Sequence, residues 1–348
     1  MDLHLSSVLV LCPPQLISLL TPIPTLATIS VMRILVTGAT GFAGGHLTEA
    51  LVSKPGVEFL GLSRKGCWPA EWRHLEGRAR INPCDLCDRE AVGNILGEWK
   101  PDAIFHLAGY AHAGRSFQEA DKAWSGNLDA TRNLLEAVRI WGGRPRILLV
   151  SSGLVYGDQE SPGQACDECA SLRPESPYAA SKAAVDLLGY QVGRASGLEI
   201  IRARPFNHFG PRQSAEFAVS HFARQIVEIE HGQRAPVLET GDLRPRRDLT
   251  DVRDIVRGYI LQMERGRAGE AYNLGSGEVH SMSEILDRLL ALADVRCEVR
   301  CRADLLRDID TPVLRANAGK ARSELGWSPR IPLDQTLTDL LEYWRQTL

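Results

Sequence analysis

Arg33-Ile34-Leu35-Val36-Thr37-Gly38-Ala39-Thr40-Gly41-Phe42-Ala43-Gly44-Gly45-His46-Leu47 is the stretch on which the fold turns. Ile34 to Val36 form a short apolar run, the pattern of a strand buried on both faces. Gly38, Gly41 and Gly44 then open a helix that carries Leu47, Leu51 and Val52. Glycine at the first two positions lets backbone N–H groups, those of Phe42 and Ala43 included, approach a pyrophosphate closely. The third removes a Cβ from the helix–strand contact. The helix N-terminus adds fixed partial positive charge. The spacing is Gly-x-x-Gly-x-x-Gly rather than the commoner Gly-x-Gly-x-x-Gly. A strand-to-helix turn also uses glycine for geometry alone, so the residues downstream must decide.

A second apolar strand runs from Val57 to Leu62 and ends Ser63-Arg64-Lys65. In a dinucleotide fold a carboxylate at this strand end bonds the ribose 2′-hydroxyl of NAD. Here a hydroxyl and two cations stand instead, which suits a 2′-phosphate, so NADP(H) is preferred and NAD(H) remains admissible. A solvated basic turn would have the same composition. After the third strand, Asp85-Leu86 offers a carboxylate for an adenine amino group or, equally, a cap for the next helix. Ala103 to Ala108 reads as the fourth strand; the residues at its end, Leu107 and Ala108 among them, let the nicotinamide half of the cofactor pass over. Asn127 to Val138 has helical apolar spacing, with Asn127 as a cap or a structural hydrogen bond. Ile147 to Val150 is the fifth strand and delivers Ser151-Ser152-Gly153-Leu154-Val155-Tyr156-Gly157. Strands alternating with helices imply an α/β fold with a doubly wound parallel sheet, its ligands at the carboxyl ends of the strands. The glycine loop, Arg64, Asp85, Ala108 and Ser152 all fall at such ends.

Ser176-Pro177-Tyr178-Ala179-Ala180-Ser181-Lys182 starts the next helix. Tyr178 and Lys182, four apart, share one helical face. A phenol near pKa 10 is too weak an acid for proton transfer at neutral pH. A neighbouring ammonium favours the phenolate, so Lys182 is expected to lower the Tyr178 pKa. Ser152 can bond the same substrate oxygen. An amphipathic surface pair would show the same spacing.

Composition leaves this reading open and closes others. The 348 residues carry a formal charge of −3, which provides no basic field for nucleic acid and no basic membrane-binding helix. Residues 1–31 lack Lys and Arg and hold Pro13, Pro14, Pro22 and Pro24. They are neither a secretory signal nor a single span, and Met32 is the expected functional start, with 1–31 an unstructured or mis-annotated leader. Cys84-x-x-Cys87 and Cys166-x-x-Cys169 have the form of a four-thiolate zinc site, but about eighty residues separate the pairs. Incidental thiols of a cytoplasmic protein are the preferred reading, with no metal.

Together the Gly38–Gly44 loop, Asp85-Leu86, Ser152 four residues before Tyr156, and Tyr178-x-x-x-Lys182 resemble the extended short-chain dehydrogenase/reductase family over residues 32–348. The resemblance implies an NAD(P)-dependent enzyme acting on a nucleotide-linked sugar, with Ser152, Tyr178 and Lys182 catalytic. It also implies a homodimer or tetramer paired through the helices near Asn127–Val138 and Tyr178–Val192. Arg204 to Gln213, Gly241 to Asp254, Arg307 to Leu314 and Leu325 to Pro329 are similar to segments of its GDP-sugar members. That likeness assigns Asn207, Arg247, Arg307 and Asp310, with Ser152 and Tyr178, to the substrate. It implies reduction of the C4 ketone of GDP-4-dehydro-6-deoxy-D-mannose to GDP-D-rhamnose. Related 4,6-dehydratases carry an acid two positions before the Tyr of the serine strand; here Gly153 and Leu154 stand there, and elimination is not expected. A 4-epimerase using the same three residues is the nearest alternative, and a non-catalytic NADP(H)-binding sensor or scaffold a more distant one. By this reading residues 32–205 form a Rossmann domain. Residues 206–348 mainly form a smaller mixed α/β substrate-binding domain, with about 247–263 returning to the first.

Overall fold

The computed structural model describes residues 31–159, 163–306 and 311–348. Arg307, Asp310 and the expected leader up to Ser30 lie outside the described residues. In chain order the elements are β1 (Met32–Thr37), α1 (Phe42–Val52), β2 (Val57–Ser63), β3 (Arg80–Pro83), α2 (Arg89–Trp99), β4 (Ala103–His106), α3 (Ala120–Trp124), α4 (Ala130–Trp141) and β5 (Arg146–Val150). There follow α5 (Pro177–Ser196), β6 (Ile200–Pro205), β7 (Asn207–Phe209), α6 (Ala218–Glu230), β8 (Val237–Thr240), β9 (Arg246–Asp251), α7 (Val252–Arg265) and β10 (Ala271–Leu274). The chain ends with β11 (Val279–Ser281), α8 (Met282–Ala293), β12 (Glu298–Cys301), β13 (Val313–Leu314) and α9 (Leu333–Thr347).

Seven parallel strands in the order β3-β2-β1-β4-β5-β6-β10 make the central sheet. The expected doubly wound sheet is therefore present. The order reverses between β1 and β4, and such a switch point opens a crevice at the carboxyl ends of the strands. One face of the sheet packs Val36 and Phe105 against Leu47 of α1 and Ile255 and Tyr259 of α7. The other packs Leu35, Ile104 and Leu149 against Leu96, Leu134 and Val138 of α2 and α4. A smaller sheet of β11, β9, β13 and β7, and the β8–β12 pair, lie beyond β6. There α6, α8 and α9 bury Phe222, Ile226, Leu289 and Leu340 around a core of their own.

Local chemistry shifts several expected boundaries. The fourth strand stops at His106, so Leu107 and Ala108 belong to the loop. The helix expected from Asn127 begins at Ala120, and Asn127 sits in a π-helical turn, Ser125–Asp129, inside it. Asp88 caps α2 by accepting from the Ala91 N–H at 3.0 Å. Asp85 instead closes a local turn with the Cys87 N–H at 2.9 Å.

Candidate active site

The glycine turn explains itself sterically. Gly38 has φ +70°, and a Cβ there would lie 2.7 Å from the Ala108 nitrogen. A Cβ on Gly44 would overlap the Gly38 carbonyl oxygen. Gly41 is the N-cap of α1 and provides no side-chain acceptor. The first N–H groups of α1, from Phe42 and Ala43, thus face the crevice without a capping side chain, as an anionic ligand requires.

Thr37, just before that turn, is locked from below. Its hydroxyl accepts from the Ala108 N–H at 3.2 Å and lies 2.8 Å from His106 Nδ1. His106 Nε2 lies 2.8 Å from the Thr131 hydroxyl, and that hydroxyl donates to the Asn127 carbonyl at 2.6 Å. With the Thr131 proton spent there, the imidazole must donate through Nε2 and accept from Thr37 at Nδ1. Burial pushes the His106 pKa down to about 3, and Lys182 adds to the effect, so this ring stays neutral. Asn127 also accepts from the Tyr110 N–H at 3.0 Å and donates to the Ser181 hydroxyl at 2.9 Å. It is therefore the structural hydrogen bond of the two roles expected. His106 and its partners carry no local motif; their role exists only once β1, β4 and the π turn meet.

The reactive pair stands at the start of α5. Ser176 caps this helix on the Ala179 N–H at 3.1 Å, with Pro177 in the first turn, a strong start signal. One turn beyond Lys182, buried Asp186 accepts from Arg202 at 2.6 Å and from Arg204 at 2.8 Å on each carboxylate oxygen. Arg204 also donates to the Tyr156 hydroxyl at 2.8 Å, which donates to Asn273 at 2.7 Å. This buried network pins α5 to β6 and to the turn after Ser152, which fixes Tyr178 and Lys182 against the strand ends.

Lys182 is 6% exposed, and its Nζ donates to the Val150 carbonyl at 2.9 Å. Desolvation lowers its pKa to about 8. Tyr178 departs from expectation. Burial pushes its phenol above the ordinary value, and the one opposing influence is a hydrogen bond with Ser152. The Lys182 ammonium is not among the influences on this phenol; it donates to the Val150 carbonyl instead. In the ligand-free chain the phenol is thus firmly protonated. Ser152 sits at the end of β5 and also accepts from the Leu154 N–H at 3.1 Å. Beside it, a Cβ on Gly153 would lie 2.7 Å from the Phe206 ring. The position after Ser152 is thereby closed to a larger side chain while Phe206 stays in place.

The remaining expected residues divide. Ser63 is half-buried at the end of β2, and Arg64 is exposed beside it with no ion pair among the described residues. Asp85 is exposed at the next strand end, and Leu86 is buried. Asn207 opens β7, two residues past the end of β6, whose Ala203 carbonyl accepts from the Ser151 N–H at 2.8 Å. It therefore lies on the same rim as Ser152. Arg247 is buried in β9, and its guanidinium donates to the carbonyls of Arg246 at 2.8 Å and Thr311 at 2.7 Å. That orientation, toward backbone, was not foreseeable from the sequence. The two Cys-x-x-Cys pairs are not gathered. Cys84 belongs to the core under α2 and Cys166 to a cluster with Tyr156 and Phe206. Burial raises both thiols to about 11, and no group of three or more potential ligands occurs among the described residues. Nor is any described helix long and apolar enough to cross a membrane.

Comparison with known proteins agrees with this arrangement. The family described as GDP-mannose 4,6 dehydratase matches residues 35–340. A GDP-6-deoxy-D-mannose reductase of Pseudomonas aeruginosa is 32% identical over 90% of this chain and 97% of its own length. The structure of RMD from Pseudomonas aeruginosa complexed with NADPH superimposes with a TM-score of 0.77 at 31% identity, over 90% of this chain and 99% of that one. The Thermus thermophilus UDP-glucose 4-epimerase complexed with NAD gives a TM-score of 0.81 at 28% identity, over 91% and 100%. The chain belongs to the GDP-mannose 4,6 dehydratase family, and through it to the extended short-chain dehydrogenases/reductases.

Proposed function

We propose that this protein is an NADPH-dependent oxidoreductase that reduces the C4 ketone of GDP-4-dehydro-6-deoxy-D-mannose to GDP-D-rhamnose. The observation that carries the reading is the joint placement of Ser152, Tyr178 and Lys182 at the strand ends beside an uncapped glycine turn. The likeness to a GDP-6-deoxy-D-mannose reductase and to an NADPH complex supports the choice of substrate and cofactor.

The residues present fit a dinucleotide phosphate. The open N–H groups of Phe42 and Ala43 hold the pyrophosphate, Ser63 and Arg64 the 2′-phosphate, Asp85 and Leu86 the adenine, and Leu107 and Ala108 border the nicotinamide end. When bound, the cofactor supplies the hydride. Tyr178 donates its proton to the oxygen that becomes the C4 hydroxyl, and a phenol held protonated by burial is the form this step needs. Ser152 steadies the same oxygen. Lys182, with one proton on Val150, would offer its others to the nicotinamide ribose. Asn207, Arg247 and Arg307 donate to phosphate or ribose oxygens of the nucleotide, and Asp310 accepts from its ribose or guanine edge. The family's name includes a dehydratase, but at Gly153 and Leu154 no side chain can move a proton. In this reading the part built on the seven-stranded sheet holds the cofactor, and the part around β9 and α6 holds the sugar nucleotide. Exposed Ile140 on α4 and Leu187 and Tyr190 on α5, at 65%, 57% and 48%, would be covered in a dimer.

The test is to incubate the purified protein with GDP-4-dehydro-6-deoxy-D-mannose and NADPH and to identify the product by NMR. One NADPH oxidised per GDP-D-rhamnose formed is the expected result. With a C4-hydroxyl sugar nucleotide supplied instead, interconversion of C4 epimers without net NADPH consumption would identify an epimerase. With GDP-mannose supplied, formation of the 4-keto-6-deoxy sugar would identify a dehydratase.

A further inference from the structure

The loop that leaves β4 starts beside the reactive amine. A Cβ on Gly109 would lie 3.4 Å from Lys182 Nζ. The next residue, Tyr110, is anchored through its N–H to Asn127, and its hydroxyl donates to Glu119 at 2.7 Å. From there a row of rings runs outward. The Tyr110 ring meets His112 edge-on with centroids 5.8 Å apart, and His112 stacks on Phe217 at 5.2 Å. Phe217 directly precedes α6, the helix that brings Phe222 and Ile226 into the second core. The row therefore reaches from the carboxyl rim of the large sheet to the first turn of α6. None of its three rings belongs to the buried cores.

Charge ties the row shut. Glu216, next to Phe217, accepts from Arg115 Nη1 at 2.7 Å, and its other carboxylate oxygen lies 3.3 Å from His112 Nε2. Arg115 stands in the 3₁₀ turn Gly114–Phe117, in the same loop as His112. Arg115 and Glu216 are exposed, and the three rings are half-buried. Ion pairs in that setting add little to fold stability, because water and salt screen them. A bridge of surface rings held by exposed charges is one that parts readily.

We propose that Glu216, with Arg115 and His112, is a clasp across the mouth of the substrate crevice that opens to let the sugar nucleotide in and out. The inference rests on the sugar-nucleotide reading above, which puts the C4 ketone at Tyr178 and the nucleotide by β9 and α6. A ligand joining those two places passes between the loop after β4 and the start of α6, the gap that the ring row bridges. The rings keep water from the crevice, and the exposed charges set how often the bridge parts. The clasp holds the empty and the filled crevice alike. It therefore slows entry and exit by the same factor and leaves affinity unchanged.

Stopped-flow binding of GDP-mannose to the NADPH-loaded protein tests this; the probe has no C4 ketone to be reduced. Glu216→Gln is expected to raise the association and dissociation rate constants alike by about fivefold, the upper end for an exposed ion pair. Kd stays within about twofold on the same scale. Arg115→Glu alone is expected to speed both rates as well. The exchanged pair, Arg115→Glu with Glu216→Arg, keeps the net charge and is expected to return both rates toward wild type. Wild type and Glu216→Gln converge at about 1 M salt, where screening acts over roughly 3 Å. Faster association with unchanged dissociation would show that Glu216 only repels an anionic ligand, and would overturn the clasp. Equal rates in the two proteins would overturn it too, as would a weakened Kd, which marks a residue that touches the ligand or shapes its site. If the protein binds no GDP-mannose, the sugar-nucleotide reading fails and the inference with it.

Discussion

Replacing Lys182 by Met should make the protein more stable while removing its activity. Lys182 is buried, and no carboxylate contributes to its titration; desolvation alone sets it. Moving an amine from 10.5 to about 8 corresponds to roughly 3 kcal/mol, at about 1.36 kcal/mol per pH unit. The unfolded chain keeps this proton up to about pH 10.5, whereas the folded chain releases it near 8. Between those values the unfolded state binds more protons, so this group makes stability rise with pH there. Below pH 8 its full cost is present. Methionine fills a similar volume without charge, and the change also removes the bond to Val150, a loss of about 1 kcal/mol. The net gain at pH 7 is about 2 kcal/mol, or roughly 4 °C in melting midpoint for a chain of this length. Thermal melts of wild type and Lys182→Met between pH 6.5 and 10.5 measure it directly. The variant should melt higher at pH 7, and its advantage should shrink with rising pH and reverse, to about 1 kcal/mol in favour of wild type, as pH approaches 10.5. Contributions of all other groups cancel in the difference between the two proteins. A variant that melts lower at pH 7, or a difference independent of pH, would refute the claim that desolvation governs this amine.

Three further outcomes follow from the same geometry. Tyr178→Phe should lower kcat by about 10²- to 10⁴-fold, the usual contribution of a direct proton donor, with NADPH affinity retained by equilibrium binding; a variant keeping more than about a tenth of the rate would contradict that role. Arg64→Ala should weaken NADPH about tenfold, the scale of one exposed charge-assisted bond to phosphate, and leave NADH unchanged, as read from KM values for the two cofactors. Asp186→Ala leaves Arg202 and Arg204 buried without their shared carboxylate and should destabilise the fold by about 3–5 kcal/mol, measured by urea unfolding.

Much of the site was legible in the sequence because its signals are local. Glycine spacing fixes a turn, a Ser-Pro pair starts a helix, and four residues of helix bring a phenol and an amine to one face. Strand ends could be read as a common rim because parallel βα units place every strand's carboxyl end on one side. Signals that depend on partners distant in sequence did not survive that reading. Asn127 was visible, but its bonds to Tyr110 and Ser181 depend on a π turn that no apolar period announces. Asp85 and Asp88 are chemically alike, and only the local turn chose Asp88 as the cap.

The chain alone therefore determined the kind of sheet and pointed to the pair, Tyr178 and Lys182, that we propose to react. Tertiary structure decided how those groups behave. Packing of α5 against β6 buries Tyr178 and Lys182, so the phenol is held protonated and the amine is weakened, the reverse of what their spacing suggested. It also directed the Arg247 guanidinium at the carbonyls of Arg246 and Thr311. The physical reason is common to these cases. Spacing along a helix or strand is set by bonds between near neighbours, whereas charge state and orientation depend on solvent exclusion and on partners brought from far along the chain.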